Sequence, residues 1–203
     1  MVFHATWDNS AMTMSLTKFL PVILLFGLIA LIASPEGESK EAATPEEQID
    51  WAAHNAIVLF FVLHDCPICS RYVPEMNRIV EEYRSRGFGF VAVYPESDFS
   101  QEDAQKHARE YHFDFPFVID SDRRFAAEFG VKVAPQVAVL NPKRELLYRG
   151  RIDDLYADVD KQRPAAVHHD LREALDNIAA GIKPNQPWAP AVGCPITYDQ
   201  PGS

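Results

Sequence analysis

The sequence predicts an α/β fold, a three-layer sandwich with helices on both faces of a central mixed sheet. Three observations carry that prediction. Ala56–Leu63 (AIVLFFVL), Phe88–Tyr94 (FGFVAVY) and Gln136–Leu140 (QVAVL) are short, unbroken apolar runs, as in strands buried on both faces. Between Cys69 and Gly87, Val73, Met76, Ile79, Val80 and Tyr83 recur every three or four residues, the spacing of a helix with one apolar face. The chain has 203 residues, enough for one well-buried domain and too few for two comfortable ones.

In chain order, residues 1–15 read as a disordered N-terminus, with Met12 or Met14 as alternative starts. Residues 16–34 contain FLPVILLFGLIALIA, which lacks charge and lies between the lengths of a signal-peptide core and a spanning helix. The small-residue cleavage pattern is poor, because Leu31 and Ile32 precede Ala33 and Ser34, so an uncleaved anchor is favoured over a signal peptide. A buried core helix is the bland alternative, and the flanking Ser-Pro-Glu-Gly-Glu argues against it. Lys18 before the segment and acids after it place the N-terminus inside and the domain on the extracytoplasmic, periplasmic side. Residues 35–48 are polar, acidic and Pro/Gly-containing, a linker.

The domain proper is expected over residues 49–181. After the first strand, the turn HDCPICS leads into the amphipathic helix, which Gly87 closes. Phe88–Tyr94 is the second strand. Ser100 opens a polar helix running to about Tyr111, with Glu102 and Asp103 suited to the positive end of its dipole. Phe117–Ile119 is a third strand, and Asp122–Phe129 a short helix ended by Gly130. Gln136–Leu140 and Glu145–Arg149 form a hairpin about Asn141-Pro142. Ala165–Ala180 is the last helix, with Leu171, Ala174, Leu175 and Ile178 on one face. Residues 182–203 form a Pro-rich tail that carries Cys194.

Composition narrows the chemistry. The net charge is -10, and no concentrated Lys/Arg surface is visible, so nucleic acid is not an expected partner. Three cysteines, Cys66, Cys69 and Cys194, are too few for a disulfide-stapled scaffold. They suit a redox pair with an extra thiol, or a metal site. In Cys66-Pro67-Ile68-Cys69 the first sulfur lies at a strand-to-helix turn, facing free backbone N–H groups and the positive dipole end, which stabilise a thiolate. Cys66 is then the exposed attacking sulfur. Cys69, one turn on and partly buried, is the resolving one. An inert structural disulfide is the alternative. Asp65 opposes thiolate formation and a protonated His64 favours it. No Gly-rich dinucleotide loop follows a strand, so no organic cofactor is expected.

These residues resemble the thioredoxin superfamily, over roughly residues 48–181. Pro74, five residues after Cys69, matches the proline that bends the active-site helix. Phe129–Leu140 (FGVKVAPQVAVL) is similar to the stretch holding the family's cis-proline. The resemblance implies a thioredoxin-like sandwich, with Pro135 cis beside the cysteine pair and the Ala134 backbone meeting an incoming peptide or thiol. The extra helix and strand between Tyr94 and Asp120 look like the insertion of membrane-tethered TlpA-type thioredoxins and of peroxiredoxins. Tyr148–Asp153 (YRGRID) and Gly193-Cys194 resemble segments of AhpC/TSA-like redoxin domains. The peroxidatic Pro-x-x-x-Thr-x-x-Cys motif is absent. Val62 and Cys66 hold its Pro-to-Thr offsets from Cys69, and Leu59 and Leu63 hold them from Cys66, which speaks against peroxidase activity.

The implied function is extracytoplasmic thiol–disulfide oxidoreduction. Cys66, Cys69 and Pro135 are its catalytic residues. Ala134, Pro67 and Ile68 contact substrate, while His64, Asp65 and Cys194 modulate. The expected partners are a disulfide- or thiol-containing protein substrate, a membrane redox partner, and the membrane itself through residues 16–34. Two alternatives stand beside it. His64, Cys66, Cys69 and Cys194 are a soft donor set for copper or zinc in a metallochaperone. A non-catalytic redox-sensing docking module is the other. Cys194 reads as a third redox thiol that folds back onto the active site, a tether point to a partner or an unused residue, and its semi-apolar surroundings, AVGCPITY, suit packing against the domain. Arg149, Arg151, Asp153 and Asp154 read by default as a solvated, salt-bridged surface, and His168-His169 as a solvated pair.

Overall fold

The computed structural model describes residues 44–198. The expected N-terminal segment 1–15 and anchor 16–34 lie outside those residues, as does most of the expected linker. Among the described residues, no helix is long and apolar enough to cross a membrane.

The core is a five-stranded sheet. Its strands are β1 (Ala56–Phe61), β2 (Phe88–Tyr94), β3 (Phe117–Ile119), β5 (Gln136–Leu140) and β6 (Leu146–Gly150), in the order β3-β2-β1-β5-β6. β1 pairs in parallel with β2, as β2 does with β3, while β5 runs antiparallel to both β1 and β6. The sheet is therefore mixed, as expected. Every residue of β1, β2 and β5 is buried, so both faces of the sheet centre are covered. That is why these segments read as continuous apolar runs rather than alternating ones. Phe60, at the centre, packs its ring 6.1 Å from Phe90 and 5.3 Å from Phe115.

The helices follow their sequence signals closely. α2 (Pro67–Arg84) buries Val73, Met76, Ile79, Val80 and Tyr83, and Pro74 lies within it. α3 (Gln101–Glu110) is capped by Ser100, whose hydroxyl accepts the Asp103 N–H at 3.1 Å. α4 (Arg124–Glu128) is a short helix before Gly130, whose φ of +63° suits glycine. Asp120 caps it from outside, its two carboxylate oxygens accepting the Phe125 and Ala126 N–H groups.

Four elements differ from expectation. At the end of the expected linker, Thr44 and Glu47 form a reciprocal capping box around the short helix α1 (Pro45–Gln48). A small hairpin, β7 (Tyr156–Asp158) and β8 (Lys161–Gln162), follows the YRGRID segment. The last helix, α5 (Asp170–Ala179), starts five residues later than expected. Its lead-in is pinned in a non-helical path by Asp154, whose carboxylate accepts the N–H groups of Val167 at 2.6 Å and His168 at 2.9 Å. Finally, the tail, expected only to lie against the domain, contributes a strand. Its β9 (Cys194–Pro195) pairs antiparallel with β4 (Val133–Ala134).

α2 and α5 lie side by side. Arg172 reaches Glu75 at 3.0 Å and also pairs with Glu82, while the Tyr83 hydroxyl donates to Asp176 at 3.0 Å. The Tyr72 hydroxyl donates to Asp153 at 2.6 Å. Thus α2, which carries the cysteines at its N-terminus, is clamped along its length.

Candidate active site

Cys66 is the N-cap of α2. Its backbone is extended (φ -89°, ψ 110°), and its Sγ accepts the Cys69 N–H at 3.4 Å. Pro67 follows at the first helical position, where its missing N–H costs nothing. The sulfur of Cys66 thus lies at the positive end of an 18-residue helix, as the sequence implies.

The disulfide joins Cys66 not to Cys69 but to the third cysteine, which folds back onto the site as one reading of Cys194 expected. Cys66 is disulfide-bonded to Cys194, across a sequence separation of 128 and a Cα–Cα distance of 6.1 Å. Cys69 is the free thiol. The expected exposed attacking sulfur is 1% exposed here, because the tail covers it. The antiparallel register sets Ala134 opposite Cys194 and Val133 opposite Pro195. Cys66 Sγ also lies 3.4 Å from the Ala134 carbonyl oxygen. The Ala134–Pro135 peptide bond is cis, as the resemblance implied. Pro135 and Ala134 are therefore brought to the cysteines; Ile68 is buried, whereas Pro67 is exposed.

Cys69 is also 1% exposed, more deeply buried than expected. Burial pushes its thiol up to about 12, and the negative charges of Glu96 and Asp65 add to the rise against a backbone hydrogen bond at Leu63. A thiol in that environment stays protonated until something lowers the cost of its charge.

His64 and Asp65 flank the pair on the solvent side. His64 Nδ1 lies 2.6 Å from Glu96 Oε1, and its ring stacks on Phe99 with centroids 4.7 Å apart. Glu96 also accepts the His64 backbone N–H at 3.1 Å. This group lines a cleft of about 310 Å³, together with Asp65, Arg123, Pro195 and Thr197. Glu96 and Phe99 carry no sequence signal of their own, since only folding brings a loop 32 residues away to His64.

The family model for Redoxin matches residues 32–162. The chain belongs to the Redoxin family. Thiol-disulfide oxidoreductase ResA of Halalkalibacterium halodurans is 27% identical over 82 residues, 40% of this chain and 46% of that protein. The match thus spans under half the length of that relative. Among solved structures, a hypothetical protein from Sinorhizobium meliloti 1021 is similar at a TM-score of 0.64 and 21% identity, over 73% of this chain and 82% of that one. An uncharacterized conserved protein from Geobacillus kaustophilus has a TM-score of 0.64 and 24% identity, over 74% of this chain and 81% of that one. At these identities the two structures speak for the thioredoxin-like fold alone.

Two of the four donors expected for copper or zinc, Cys66 and Cys194, are joined in the disulfide of this Redoxin domain. Copper or zinc at His64, Cys66, Cys69 and Cys194 would need those donors to converge. Among the described residues, the sets whose ligand atoms lie within 4.8 Å are His64, Asp65 and Glu96, and Glu75, Asp153 and His169; neither includes a cysteine. The expected solvated surface at Arg149–Asp154 is instead structural. Asp153 and Asp154 are buried, Arg151 pairs with Asp170 at 2.7 Å, and Arg149 donates to the Phe129 carbonyl at 3.2 Å.

Proposed function

We propose that this domain is a thiol–disulfide oxidoreductase acting on cysteine-bearing protein segments, with Cys66 the attacking sulfur and Cys69 the resolving one. The observation that carries the reading is the joint placement of the two cysteines. Cys66 caps a helix while held in a disulfide, and the Cys69 thiol waits one turn away with its own N–H directed at the same sulfur. In the reduced form, charge on Cys66 is stabilised by that N–H and by the helix end. Cys66 then attacks a client disulfide, forming one S–S bond and releasing one client sulfur, which takes a proton. Cys69 loses its proton, attacks Cys66 Sγ and displaces the second client sulfur, which takes a proton in turn. The product is a Cys66–Cys69 disulfide and a client dithiol. The reverse sequence oxidises a client, and the redox partner's potential sets the direction.

An extracytoplasmic site of action, tethered through residues 16–34 and coupled to a membrane redox partner, belongs to the same proposal. The disulfide suits an oxidising compartment, and the apolar segment and its flanking charges suit an anchor.

Reduction of a model protein disulfide by the full chain, in excess dithiol, tests the chemistry. Cys66→Ser is expected to abolish turnover. The Cys69→Ser, Cys194→Ser chain, reduced and freed of dithiol before the client is added, is expected to stop with the client covalently attached to Cys66, visible by mass spectrometry under non-reducing conditions, whereas Cys69→Ser alone leaves Cys194 to displace the client. Turnover that survives Cys66→Ser would refute the mechanism, and a clean redox couple without turnover on any client would support the docking-module reading.

A further inference from the structure

The disulfide partner of Cys66 is part of a continuous extended segment, Gly193–Tyr198, seated on β4. Cys194 and Pro195 pair with Ala134 and Val133, and the Ile196 N–H donates to the Lys132 carbonyl at 2.9 Å. Side chains alternate as on any strand: Ile196 is buried and Tyr198 donates its hydroxyl to the Val131 carbonyl, while Pro195 and Thr197 face outward. Gly193 is fixed by contact, because a Cβ there would come 2.1 Å from the Ala134 carbonyl oxygen. That neighbour is backbone and has no room to yield.

A sulfur bonded to Cys66 is what any mixed disulfide with a client would contain. The segment carrying that sulfur must run where this one runs, since Ala134 borders the Cys66 sulfur and supplies the nearest strand to pair with. We propose that Gly193–Tyr198 is an internal copy of the substrate, occupying the client's seat and displaying the pattern the seat selects. The pattern is an extended segment with Gly before the cysteine, a large apolar residue two positions after it and Tyr four after it. This rests on the exchange chemistry proposed above.

The tail leaves its seat by the same chemistry. Cys69 gives up its proton and attacks Cys66 Sγ. The Cys66–Cys69 bond forms, the Cys66–Cys194 bond breaks, and Cys194 departs as a thiolate that takes a proton. One disulfide and one thiol exist before and after, so no outside oxidant or reductant enters. A client thiol entering the vacated seat attacks Cys66 and regenerates the mixed disulfide, with Cys69 leaving as a thiol.

The full chain carrying Cys69→Ser, Gly193→Val and Cys194→Ser, which leaves Cys66 as its one cysteine and displaces the tail from the seat, tests the pattern. The probe is the peptide AVGCPITY, its cysteine linked to thionitrobenzoate so that each attack by Cys66 releases a coloured thiolate. Peptides with Val in place of the Gly, or Asp in place of the Ile, are expected to react at least about tenfold more slowly, the loss of one seated apolar contact or the clash at the carbonyl being worth that much. Equal rates for all three peptides, with Cys66 reacting normally with a small aromatic disulfide, would overturn the pattern and leave the exchange chemistry standing. A Cys66 inert to the small disulfide as well would overturn both. Gly193→Val in the otherwise unaltered chain is the second test. Non-reducing peptide mapping is expected to find the oxidised protein shifted from the Cys66–Cys194 to the Cys66–Cys69 disulfide. An unchanged Cys66–Cys194 linkage would overturn the proposal.

Discussion

Cys69 shows how far one side chain's chemistry is set by surroundings that its sequence neighbours do not reveal. It is walled in by the core, and burial raises its thiol to about 12, with Glu96 and Asp65 adding to the rise. The sign of the linkage follows. The folded state holds this proton more tightly than the unfolded chain, where a cysteine titrates near 8.5, so the contribution to stability is complete below about pH 8.5 and is lost as pH rises towards 12. Alkylation reads the same quantity. At pH 9 about one Cys69 in a thousand is thiolate, so labelling at Cys69 itself, located by peptide mapping apart from any at Cys194, is expected to be slow in the oxidised, folded protein and to rise about tenfold per pH unit up to pH 11. A labelling plateau near pH 8.5 would mean that the thiol is solvated. From the sequence, Cys66 and Cys69 stood out because a Cys-x-x-Cys pair at a strand-to-helix turn is a local pattern. Glu96, which hydrogen-bonds His64 and acts on Cys69, could not stand out, because its effect comes from a long-range approach.

Elements built from local rules were legible, and elements built from distant partners were not. α2 followed from its apolar spacing and the turn before it, α3 from the Ser100 cap, and β1, β2 and β5 from burial on both faces. The start of α5 was displaced because Asp154, from the preceding loop, takes the backbone N–H groups of Val167 and His168. β9 was invisible because a two-residue strand has no periodicity, and its partner β4 is about 60 residues upstream. Those two backbone N–H groups, His168 first, hold the Asp154 carboxyl below its usual range, with Arg163 assisting. A depressed carboxylate stabilises the fold above its unfolded value near 3.9, and that contribution is lost as pH falls through the lower folded value. Asp154→Ala is accordingly expected to lower the melting temperature at pH 7, with the gap from the unaltered chain closing below about pH 4. A gap that does not change with pH would show that the carboxylate charge contributes nothing to the docking of α5.

At the scale of the whole molecule, the two possible disulfides are not equivalent. Cys66–Cys194 closes a loop spanning a sequence separation of 128, whereas Cys66–Cys69 closes a single helical turn. Loop-closure entropy assigns about 5 kcal/mol of stabilisation to the first and about 2 kcal/mol to the second. The oxidised full chain is expected to exceed oxidised Cys194→Ser in unfolding free energy by about 3 kcal/mol, measured by denaturant titration without reductant. Equal midpoints would show that the long loop does not close in the native oxidised protein.

The pairing of β9 with β4 has one more consequence. Every copy of the chain presents the same two-residue edge at β4, and releasing a tail uncovers a row of unpaired backbone groups of the kind that invites domain swapping. A tail that had left its own edge would meet an equivalent one on a neighbouring copy, where the same sulfur would join two chains. Intramolecular closure is independent of protein concentration and intermolecular closure is not. Dilution therefore favours the monomer, and crowding favours a covalent, tail-exchanged dimer.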